Sequence, residues 1–511
     1  MKTLDPVTLE ILRARLVSLV DEAAATFKRT SFSTLVREAN DFAVVLADAR
    51  GRGVAQYSQG IPSFLGTIPR TIRSFMAALP PDTLRDGDVL ITNDPWIGTG
   101  HIHDVSIVVP IFIGEEIVGY AGISSHLPDI GGQIRSASCT EIFEEGLQIP
   151  MLKLFEAGRR NETLFATIRQ NVRVPEQTIG DLLAAVSGCQ AVSTKLTAVL
   201  TREDVDFQAF AETILARSEV AMRRTIEAIP DGSYRHIVQH DGFEERITID
   251  CTVIVKGSEI EVDFSGTSSQ LPRAVNVVPN YTFAYTVYGL KTILAPELPN
   301  NEGTLYPLST HAPEGTILNP TYPAASGARG MIGHMLPTAV MGALAPVLGD
   351  RVGAEGSANS SFTIVGEHRG RPYAVASFIN AGQGATSARA GHSVLSFPSN
   401  LGNNPVEVLE SLAPVRVHRR EIRRGSGGAG RHRGGDGLSM TFEFLGETPA
   451  RCSFLTTRRI VAPKGAAGGG DGKVARVVIN GTEIDTTAHQ TLKKGDVVLY
   501  ETAGGGGYGE A

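Results

Sequence analysis

Three histidines and two aspartates lie in one short glycine-rich stretch, in a spacing that suits a metal site. His101, His103 and Asp104 follow the loop 93–100, and His126 and Asp129 come after an intervening apolar run. The pairs His101/Asp104 and His126/Asp129 both have the form His-x-x-Asp. Imidazoles and carboxylates without sulfur favour Zn²⁺, Mn²⁺ or Fe²⁺, and three protein ligands plus water make an open, catalytic site.

A β-hairpin is predicted between the two groups. Residues 105–113 and 117–124 have strand composition, and the glycine-containing segment 114–116 predicts the turn. Strands that fold back about Glu115 place Asp104 opposite His126, with Cβ atoms about 4.5–5.5 Å apart. A different turn would shift the register by one residue and bring His103 opposite His126 instead. In both registers two imidazoles and a carboxylate meet at the open end of the hairpin.

A structural interpretation of the same residues stays open at this point. A single His-x-x-Asp occurs often by chance, and an aspartate after a glycine-rich loop commonly caps a turn. Against this, three of the twelve histidines of the chain fall within 26 residues. The residues alone leave both the metal site and the turn cap open.

Composition sets the outer bounds of the protein class. The chain has 511 residues, of which 42% are hydrophobic and 20% charged, which is typical of a globular enzyme of two to four domains. A net charge of −7 argues against general nucleic-acid binding. Four widely spaced cysteines, no apolar leader and no run of eighteen apolar residues predict a cytoplasmic protein without a transmembrane span.

The order of predicted elements indicates a mixed α+β, multidomain fold rather than a doubly wound sheet. Asp5 caps a first helix, residues 161–228 are largely helical, Gly180 and Asp181 open a helix over 182–200, and residues 234–264 are β-rich. From residue 351 onward glycine, serine and short strands dominate. We expect a metal-site domain at 1–230, a mixed middle domain at 231–350 and a glycine-rich, β-containing domain at 351–511.

Three glycine-rich or basic segments do not support a nucleotide site. Residues 425–430 match G-x-G-x-x-G, but a strand rather than a helix follows, so the dinucleotide fingerprint is excluded. No P-loop motif occurs. The basic run 416–433 could hold a phosphate or an acidic partner, but a solvated loop or a contact between subunits is favoured. The glycines at 504–507 predict tight turns rather than a phosphate cradle.

Taken together, these motifs resemble the hydantoinase B/oxoprolinase family over nearly the whole chain. This family includes subunits of ATP-dependent hydantoinases, 5-oxoprolinase, caprolactamase and, more distantly, acetone carboxylase. The resemblance rests on segments 5–11, 41–42, 93–104, 126–132, 171–175, 180–182, 263–266, 427–431 and the glycine-rich ending.

The resemblance implies roles for individual residues. His101, Asp104 and His126 match metal ligands of the family, and Asp41 matches a further ligand that nothing local predicts. His103 and Asp129 are assigned acid–base or outer-shell roles. Where relatives often have Glu-Arg-x-Asp-Phe, this chain has alanine at position 39, which changes the charge expected near Asp41.

The resemblance also implies that two different subunits carry out successive steps of one reaction. A hydantoinase A-type partner would use ATP and Mg²⁺ to phosphorylate a cyclic amide, and this chain would hydrolyse the activated amide at one divalent metal ion that acidifies water. The expected assembly is a heterotetramer with two copies of each subunit. The alternatives are a subunit of an ATP-dependent ketone carboxylase of the acetone carboxylase type, and a non-catalytic structural partner.

Overall fold

The computed structural model describes residues 5–358 and 360–511, and it is built from helices and strands in similar proportion. The α-helices are α1 (Pro6–Thr30), α2 (Thr34–Arg37), α3 (Pro62–Ala78), α4 (Glu162–Asn171), α5 (Pro175–Glu203), α6 (Phe207–Glu227), α7 (Pro279–Leu294), α8 (Gly330–Gly333), α9 (Leu336–Leu348) and α10 (Val406–Leu412). The first ten strands are β1 (Phe42–Asp48), β2 (Gly53–Gln56), β3 (Val89–Thr92), β4 (Asp104–Ile113), β5 (Glu116–His126), β6 (Leu152–Glu156), β7 (Arg159–Arg160), β8 (Gly232–His240), β9 (Ile247–Lys256) and β10 (Glu259–Asp263). The remaining strands are β11 (Leu308–His311), β12 (Ser360–His368), β13 (Arg371–Ile379), β14 (Val415–Arg423), β15 (Gly437–Phe444), β16 (Ala450–Leu455), β17 (Arg476–Ile479), β18 (Thr482–Glu483), β19 (Gln490–Leu492) and β20 (Val497–Glu501). The predicted mixed α+β class is confirmed.

An antiparallel sheet of seven strands, in the order β2-β1-β5-β4-β3-β6-β7, carries the N-terminal half of the site. Its central strands are buried on both faces, so alternate residues enter two different cores. In β1, Phe42 and Val44 join the core formed with α1 and α5, whereas Ala43 and Val45 join the core formed with α3. This two-sided burial fixes the strand register at the site.

The predicted hairpin is present, and it has the first of the two predicted registers. The tip is a two-residue turn after Ile113, with Gly114 at φ +64°, a conformation that glycine adopts readily. That turn alone would shift the strands by one residue, but a β-bulge at Val118 restores the register. Asp104 therefore lies directly opposite His126.

The middle of the chain forms a second layered unit. The sheet β11-β10-β9-β8 packs against α7 and α9 around a core that includes Val253, Tyr285 and Leu344. Helix α7 also packs on α3 of the first unit. This contact brings residues after position 280 next to the mouth of the hairpin.

Two further sheets make up most of the C-terminal region, β13-β12-β16-β19 and β14-β15-β20-β17-β18. Their inner faces share a core of aromatic rings, with Phe362 and Phe442 stacked at 5.2 Å. Strand β15 follows the G-x-G-x-x-G segment, as predicted. The basic run forms the edge strand β14 and the loop after it. The proposed boundaries near 230 and 350 stay predictions.

The C-terminal glycines do not form tight turns, which corrects the prediction for 504–507. They run extended through the centre of a bundle of glycine-rich segments, and their amide N–H groups donate to different neighbours in turn: Gly504 to Lys473, Gly505 to Gly435, Gly506 to Glu355 and Gly507 to Gly470. The first and fourth donors reach the same segment, so the pattern repeats every three residues, as in polyproline II-type helices. Only glycine allows backbones to approach this closely.

Helix α5 begins at Pro175, seven residues before the predicted start at Leu182. Gly180 and Asp181 lie inside the helix, where the Asp181 carboxylate accepts the amide N–H of Phe32 at 2.6 Å. The ring of Phe32 packs where a side chain at Gly180 would lie. These two residues join α5 to the start of α2 and do not cap a helix.

Two helical stretches, Pro175–Glu203 and Gly330–Arg351, are long and apolar enough to cross a membrane by length and composition. Neither stretch is an unbroken run of eighteen apolar residues, and the expectation of no transmembrane span stays a prediction. About half of each apolar window is buried inside the protein, and the core helices of globular proteins pass the same test. Helix α5 packs on α1 and on the β4–β5 hairpin.

Candidate metal centre

Three neighbouring strands bring the predicted site residues to one end of the large sheet. Asp104 is the first residue of β4, His126 is the last of β5, and Asp41 directly precedes β1. Strand β1 pairs with β5, and the amide N–H of His126 donates to the carbonyl of Asp41 at 3.1 Å. His101 reaches the same point from the loop before β4. Sheet pairing thus explains how Asp41, distant in sequence, reaches the site.

The side chains of His101, Asp104 and His126 converge on one point. One ligand atom from each lies within 4.8 Å of the others, and all three residues are buried. Asp104 Oδ1 is 2.7 Å from His101 Nε2 and 2.9 Å from His126 Nδ1. Asp41 Oδ2 lies 3.9 Å from the same nitrogen of His126. The arrangement is that of a His₂-carboxylate site with a second carboxylate beside it.

The surroundings of His101 indicate a cation. Its Nδ1 faces the carbonyl oxygen of Gly327 at 3.0 Å, and its Nε2 faces Asp104 Oδ1 at 2.7 Å. A neutral imidazole has only one N–H, so one of these contacts would join two lone pairs. Protonation is unfavourable because burial and the nearby guanidinium of Arg329 lower the pKa of His101 to about 3. A metal ion held by His101 and Asp104 would resolve the conflict, because Nε2 could then be a ligand while Nδ1–H donates to Gly327.

Asp104 is held in its ionised form. Its Oδ2 accepts hydrogen bonds from Thr99 Oγ1 at 2.5 Å and from Arg329 Nη2 at 2.7 Å. Burial by itself would raise the pKa of Asp104, but its charged and hydrogen-bonding neighbours, Arg329 among them, outweigh burial and hold this pKa well below its usual range. One oxygen is thus fixed by the protein, and the other points toward both histidines.

Asp41 is the more weakly acidic of the two carboxylates. Burial raises its pKa to about 6, against the opposing effect of His126. Asn40 turns the chain into β1 with φ +57°, a left-handed conformation that asparagine tolerates well. Ala39, two residues before Asp41, is fully buried.

His103 and Asp129 lie beside this cluster, in different settings. The His103 ring stacks on His126, with centroids 5.6 Å apart, and its Nδ1 is buried with no hydrogen-bond partner in the described chain. Both oxygens of Asp129 are engaged by Arg173, through its guanidinium at 2.6 Å and its backbone amide. His103 therefore has a ring nitrogen that could exchange a proton, whereas both oxygens of the Asp129 carboxylate already accept hydrogen bonds.

Several residues of the site escaped the sequence analysis, because all of them except Thr99 come from segments without a recognised motif. These are Thr99, Arg135, Glu145, Tyr281, Gly327, Arg329 and His334. Arg329 stacks on the ring of Tyr281 at 4.2 Å while it holds Asp104. Arg135 donates from Nε to the Gly327 carbonyl at 3.2 Å, and its Nη1 is buried without a partner among the described residues.

Glu145 fixes the loop that supports His101. Its Oε1 accepts the amide N–H groups of Ser326 at 2.8 Å and Gly327 at 2.6 Å. This contact sets the orientation of the Gly327 carbonyl that faces His101. Burial raises the pKa of Glu145 to about 7. Glu145 thus acts on the site through backbone groups and touches no proposed ligand.

Glu145→Ala is expected to weaken metal binding by roughly 10–100-fold, the usual effect of losing an outer hydrogen-bonding partner of a ligand. Glu145→Gln should stay close to the parent, because its amide oxygen can still accept both N–H groups. Competition with a fluorescent chelator measures the affinities. Equal affinity of Glu145→Ala and the parent protein would show that the loop does not orient His101.

The space at the site is small. The cavity lined by Asp41, His101, Asp104 and His126 has a volume of about 50 Å³. This is room for an ion and a few water molecules, since one water needs about 10–15 Å³ on the same measure. A ring-shaped organic substrate requires the walls to move.

Comparison with known proteins supports the family assignment. Residues 5–511 match the Hydantoinase B/oxoprolinase family. The inferred B-type component of a D-/L-hydantoinase from Pseudomonas sp. strain NS671 is 29% identical over 541 residues, covering 100% of this chain and 90% of that protein. The beta subunit of caprolactamase from Pseudomonas jessenii is 29% identical over 537 residues, covering 100% and 92%. The 5-oxoprolinase of Dictyostelium discoideum is 26% identical, and the match covers 99% of this chain but 40% of that protein.

Solved structures agree with this fold. The ATP-dependent caprolactamase from Pseudomonas jessenii superposes with a TM-score of 0.90 at 28% identity, covering 100% of this chain and 92% of that one. Nucleotide-free acetone carboxylase gives a TM-score of 0.87 at 20% identity, covering 99% and 76%, which shows a shared fold alone. The full-length match, the named enzymes among the relatives and the common fold together make this chain a member of the Hydantoinase B/oxoprolinase family.

Proposed function

We propose that this chain is the metal-dependent subunit of an ATP-dependent hydrolase that opens cyclic amides such as hydantoins, oxoproline or lactams. The observation that carries the proposal is the His101–Asp104–His126 cluster, whose facing lone pairs are best satisfied by a cation. The named relatives, which are components of a hydantoinase and a caprolactamase and a 5-oxoprolinase, support the substrate class.

The donor set fits one divalent ion. His101 and His126 would supply nitrogen, Asp104 would supply oxygen, and Asp41 would be a further carboxylate ligand. Nitrogen and oxygen donors without sulfur suit Zn²⁺, Mn²⁺ or Fe²⁺. When bound, such an ion lowers the pKa of a coordinated water and polarises an oxygen of the substrate.

His103 is our candidate for the group that accepts a proton from the attacking water. Burial and the neighbouring histidines lower its pKa well below the ordinary value, so the ring is neutral, and Nδ1 is free of partners in the described chain. For Asp129, the second residue predicted to have an acid–base role, we propose positioning: its ion pair with Arg173 anchors the loop that follows His126.

Arg135 is our candidate for the group that binds the negative charge of the reacting substrate. It lines the same cavity as the metal-ligand cluster, and one of its terminal nitrogens has no partner in the described residues. Its planar guanidinium suits the oxygens of a phosphorylated amide. Attack of one water on the activated carbon and loss of the ring nitrogen, which takes up a proton, would leave an open-chain acyl phosphate. A second water would then release phosphate and leave the open-chain acid.

Arg135→Met should keep the metal and lower turnover by roughly 100–1000-fold, the usual cost of removing one preorganised donor from a reacting oxygen. Metal content by plasma mass spectrometry and initial rates with the partner subunit present provide the two readouts. Arg159→Met, at an exposed strand position, is the matched control. Full activity of Arg135→Met would exclude Arg135 from this role.

ATP would be used by a partner subunit of the hydantoinase A type, with Mg²⁺. This chain contains no P-loop motif, and its G-x-G-x-x-G segment leads into strand β15 rather than a helix. Two of the relatives are named as single components of a larger enzyme, which supports a multisubunit assembly. We propose a heterotetramer with two copies of each subunit. The four cysteines are all buried and unpaired, which suits a reducing, cytoplasmic setting.

The proposal is tested by assaying the chain with its partner subunit and ATP against hydantoins, 5-oxoproline, lactams of several ring sizes and small ketones with bicarbonate. We expect ring opening with phosphate release, only when both subunits, ATP and metal are present. Carboxylation of a ketone would instead support the acetone carboxylase-type alternative. Ring opening by this chain alone without ATP would contradict the proposal.

A further inference from the structure

A second and larger cavity lies next to the metal centre. It has a volume of about 610 Å³ and is enclosed by α3, α7, the stretch 300–308 and the loop 395–400. This volume falls within the range of about 300–1000 Å³ that is typical of small-molecule sites. Because Arg70 of α3 lies in its wall, we call it the Arg70 cavity.

The charges that line the Arg70 cavity do not balance. Arg73 Nη2 pairs with Glu302 Oε1 at 2.8 Å, and Lys291 donates to the carbonyl of Leu298 at 2.9 Å. The Arg70 guanidinium stacks on the ring of Phe283, at 3.8 Å from the centroid, and it makes no hydrogen bond or ion pair with any described residue. Three cations and one carboxylate thus leave two positive charges in excess.

An unpaired, partly buried guanidinium is unfavourable unless an anion accompanies it. The five N–H donors of arginine match the oxygens of a carboxylate or a phosphate in a two-point contact. The guanidinium of Arg70 is held against Phe283 by stacking, and Arg70 lines the cavity. The charge pattern therefore selects an anion.

The rest of the wall favours an anion that also carries an organic group. Tyr288 and Phe397 form a contacting ring pair in the wall, with centroids 6.2 Å apart, and Phe283 and Tyr306 add further aromatic surface. Such surfaces gain free energy by burying carbon groups, which inorganic ions lack. The volume also exceeds what a single small ion needs.

The Arg70 cavity shares its walls with the metal site. Helix α3 contributes Phe64 to the metal site and Leu65 to the Arg70 cavity, and helix α7 likewise contributes Tyr285 to the first and Tyr288 to the second. The loop that follows Phe397 borders both spaces. The space at the metal site, about 50 Å³, is too small for a ring amide. The Arg70 cavity is the adjoining space that has room for one.

We propose that the Arg70 cavity binds an organic anion through Arg70. The anion would be held next to the metal centre, on the other side of the wall that the two spaces share. The identity of this anion rests on the proposed function, under which two anions have this chemistry. One is the phosphorylated amide on its way to the metal, and the other is the carboxylate product on its way out.

Calorimetric titration of the purified full-length chain tests the proposal. The probes are phenyl phosphate, phenylacetate and the uncharged benzyl alcohol. We expect at least one anion to bind with a Kd below about 1 mM, and benzyl alcohol to bind roughly tenfold more weakly or not at all. Tighter binding of phenyl phosphate identifies the incoming species, and tighter binding of phenylacetate identifies the product.

Four variants locate the site. Arg70→Met should weaken anion binding by roughly tenfold or more, while Arg224→Met, an exposed arginine of α6, should leave it unchanged. Asn300→Asp adds a negative charge at the exposed rim and should weaken binding even if Arg70→Met does not fold. His126→Ala should retain the binding, because the anion does not sit on the metal ligands.

Three results would overturn the proposal. They are absence of anion binding to the parent chain, unchanged affinity in both Arg70→Met and Asn300→Asp, and loss of binding in His126→Ala. Metal content distinguishes a failure here from a failure of the proposed function. Arg70→Met should carry the same metal as the parent chain whatever its affinity for the anions.

Discussion

His101→Ala and His126→Ala are each expected to lose the bound metal and all turnover. Each substitution removes one of three or four ligands, and the remaining donors rarely hold a divalent ion tightly. Metal content should fall from about one ion per chain to less than about one tenth. Plasma mass spectrometry after gel filtration measures this before any substrate is known.

The matched control is His418→Ala, an exposed histidine on the edge strand β14 that pairs with Glu443. It should keep full metal content, which separates a site effect from a general loss of histidine. Full metal occupancy in both His101→Ala and His126→Ala would exclude the cluster as the metal site.

Gly505→Ala is expected to cause the largest loss of stability. A Cβ at this position would lie 2.0 Å from the carbonyl oxygen of Gln383, inside the glycine bundle. The backbone cannot move aside, because Gly505 donates to Gly435 and accepts from Gly428. We expect a cost of about 3 kcal/mol or more, at the upper end for overpacking, and an unfolding temperature lowered by about 3 °C or more for a chain of this size.

Gly470→Ala is the control within the same bundle. Its Cβ would meet no atom closer than 3.4 Å, an ordinary contact. This variant should remain within about 1 kcal/mol of the parent and could gain slightly from a less flexible unfolded chain. Differential scanning calorimetry compares the three proteins. Equal destabilisation by both substitutions would show that close backbone packing at Gly505 is not the cause.

The geometry of the candidate metal site could be predicted in part from local sequence because a hairpin is a local structure. The β-rich segments on either side of Gly114 predicted the pairing of Asp104 with His126. The prediction succeeded because the bulge at Val118 compensates for a turn shorter than assumed. The register is kept because both faces of the sheet are buried. Rules that relate turn length to register do not take this burial into account.

The residues that surround the metal site could not be found in this way. Arg135, Glu145 and Arg329 act through contacts between segments nearly 200 residues apart, such as Glu145 with the amide of Gly327. Asp41 was placed only by family resemblance, since its pairing depends on the order of strands β1 and β5. The glycines at 504–507 were misinterpreted because consecutive glycines are typical of turns, whereas here their lack of side chains serves packing.

Anomalous diffraction from crystals of the purified chain, recorded at the zinc, iron and manganese absorption edges, tests the central claim most directly. The account predicts one strong peak in contact with His101 Nε2, Asp104 Oδ1 and His126 Nδ1, at the edge of the metal that copurifies. No peak between these atoms in a protein that contains stoichiometric metal, with the ion bound elsewhere, would contradict it.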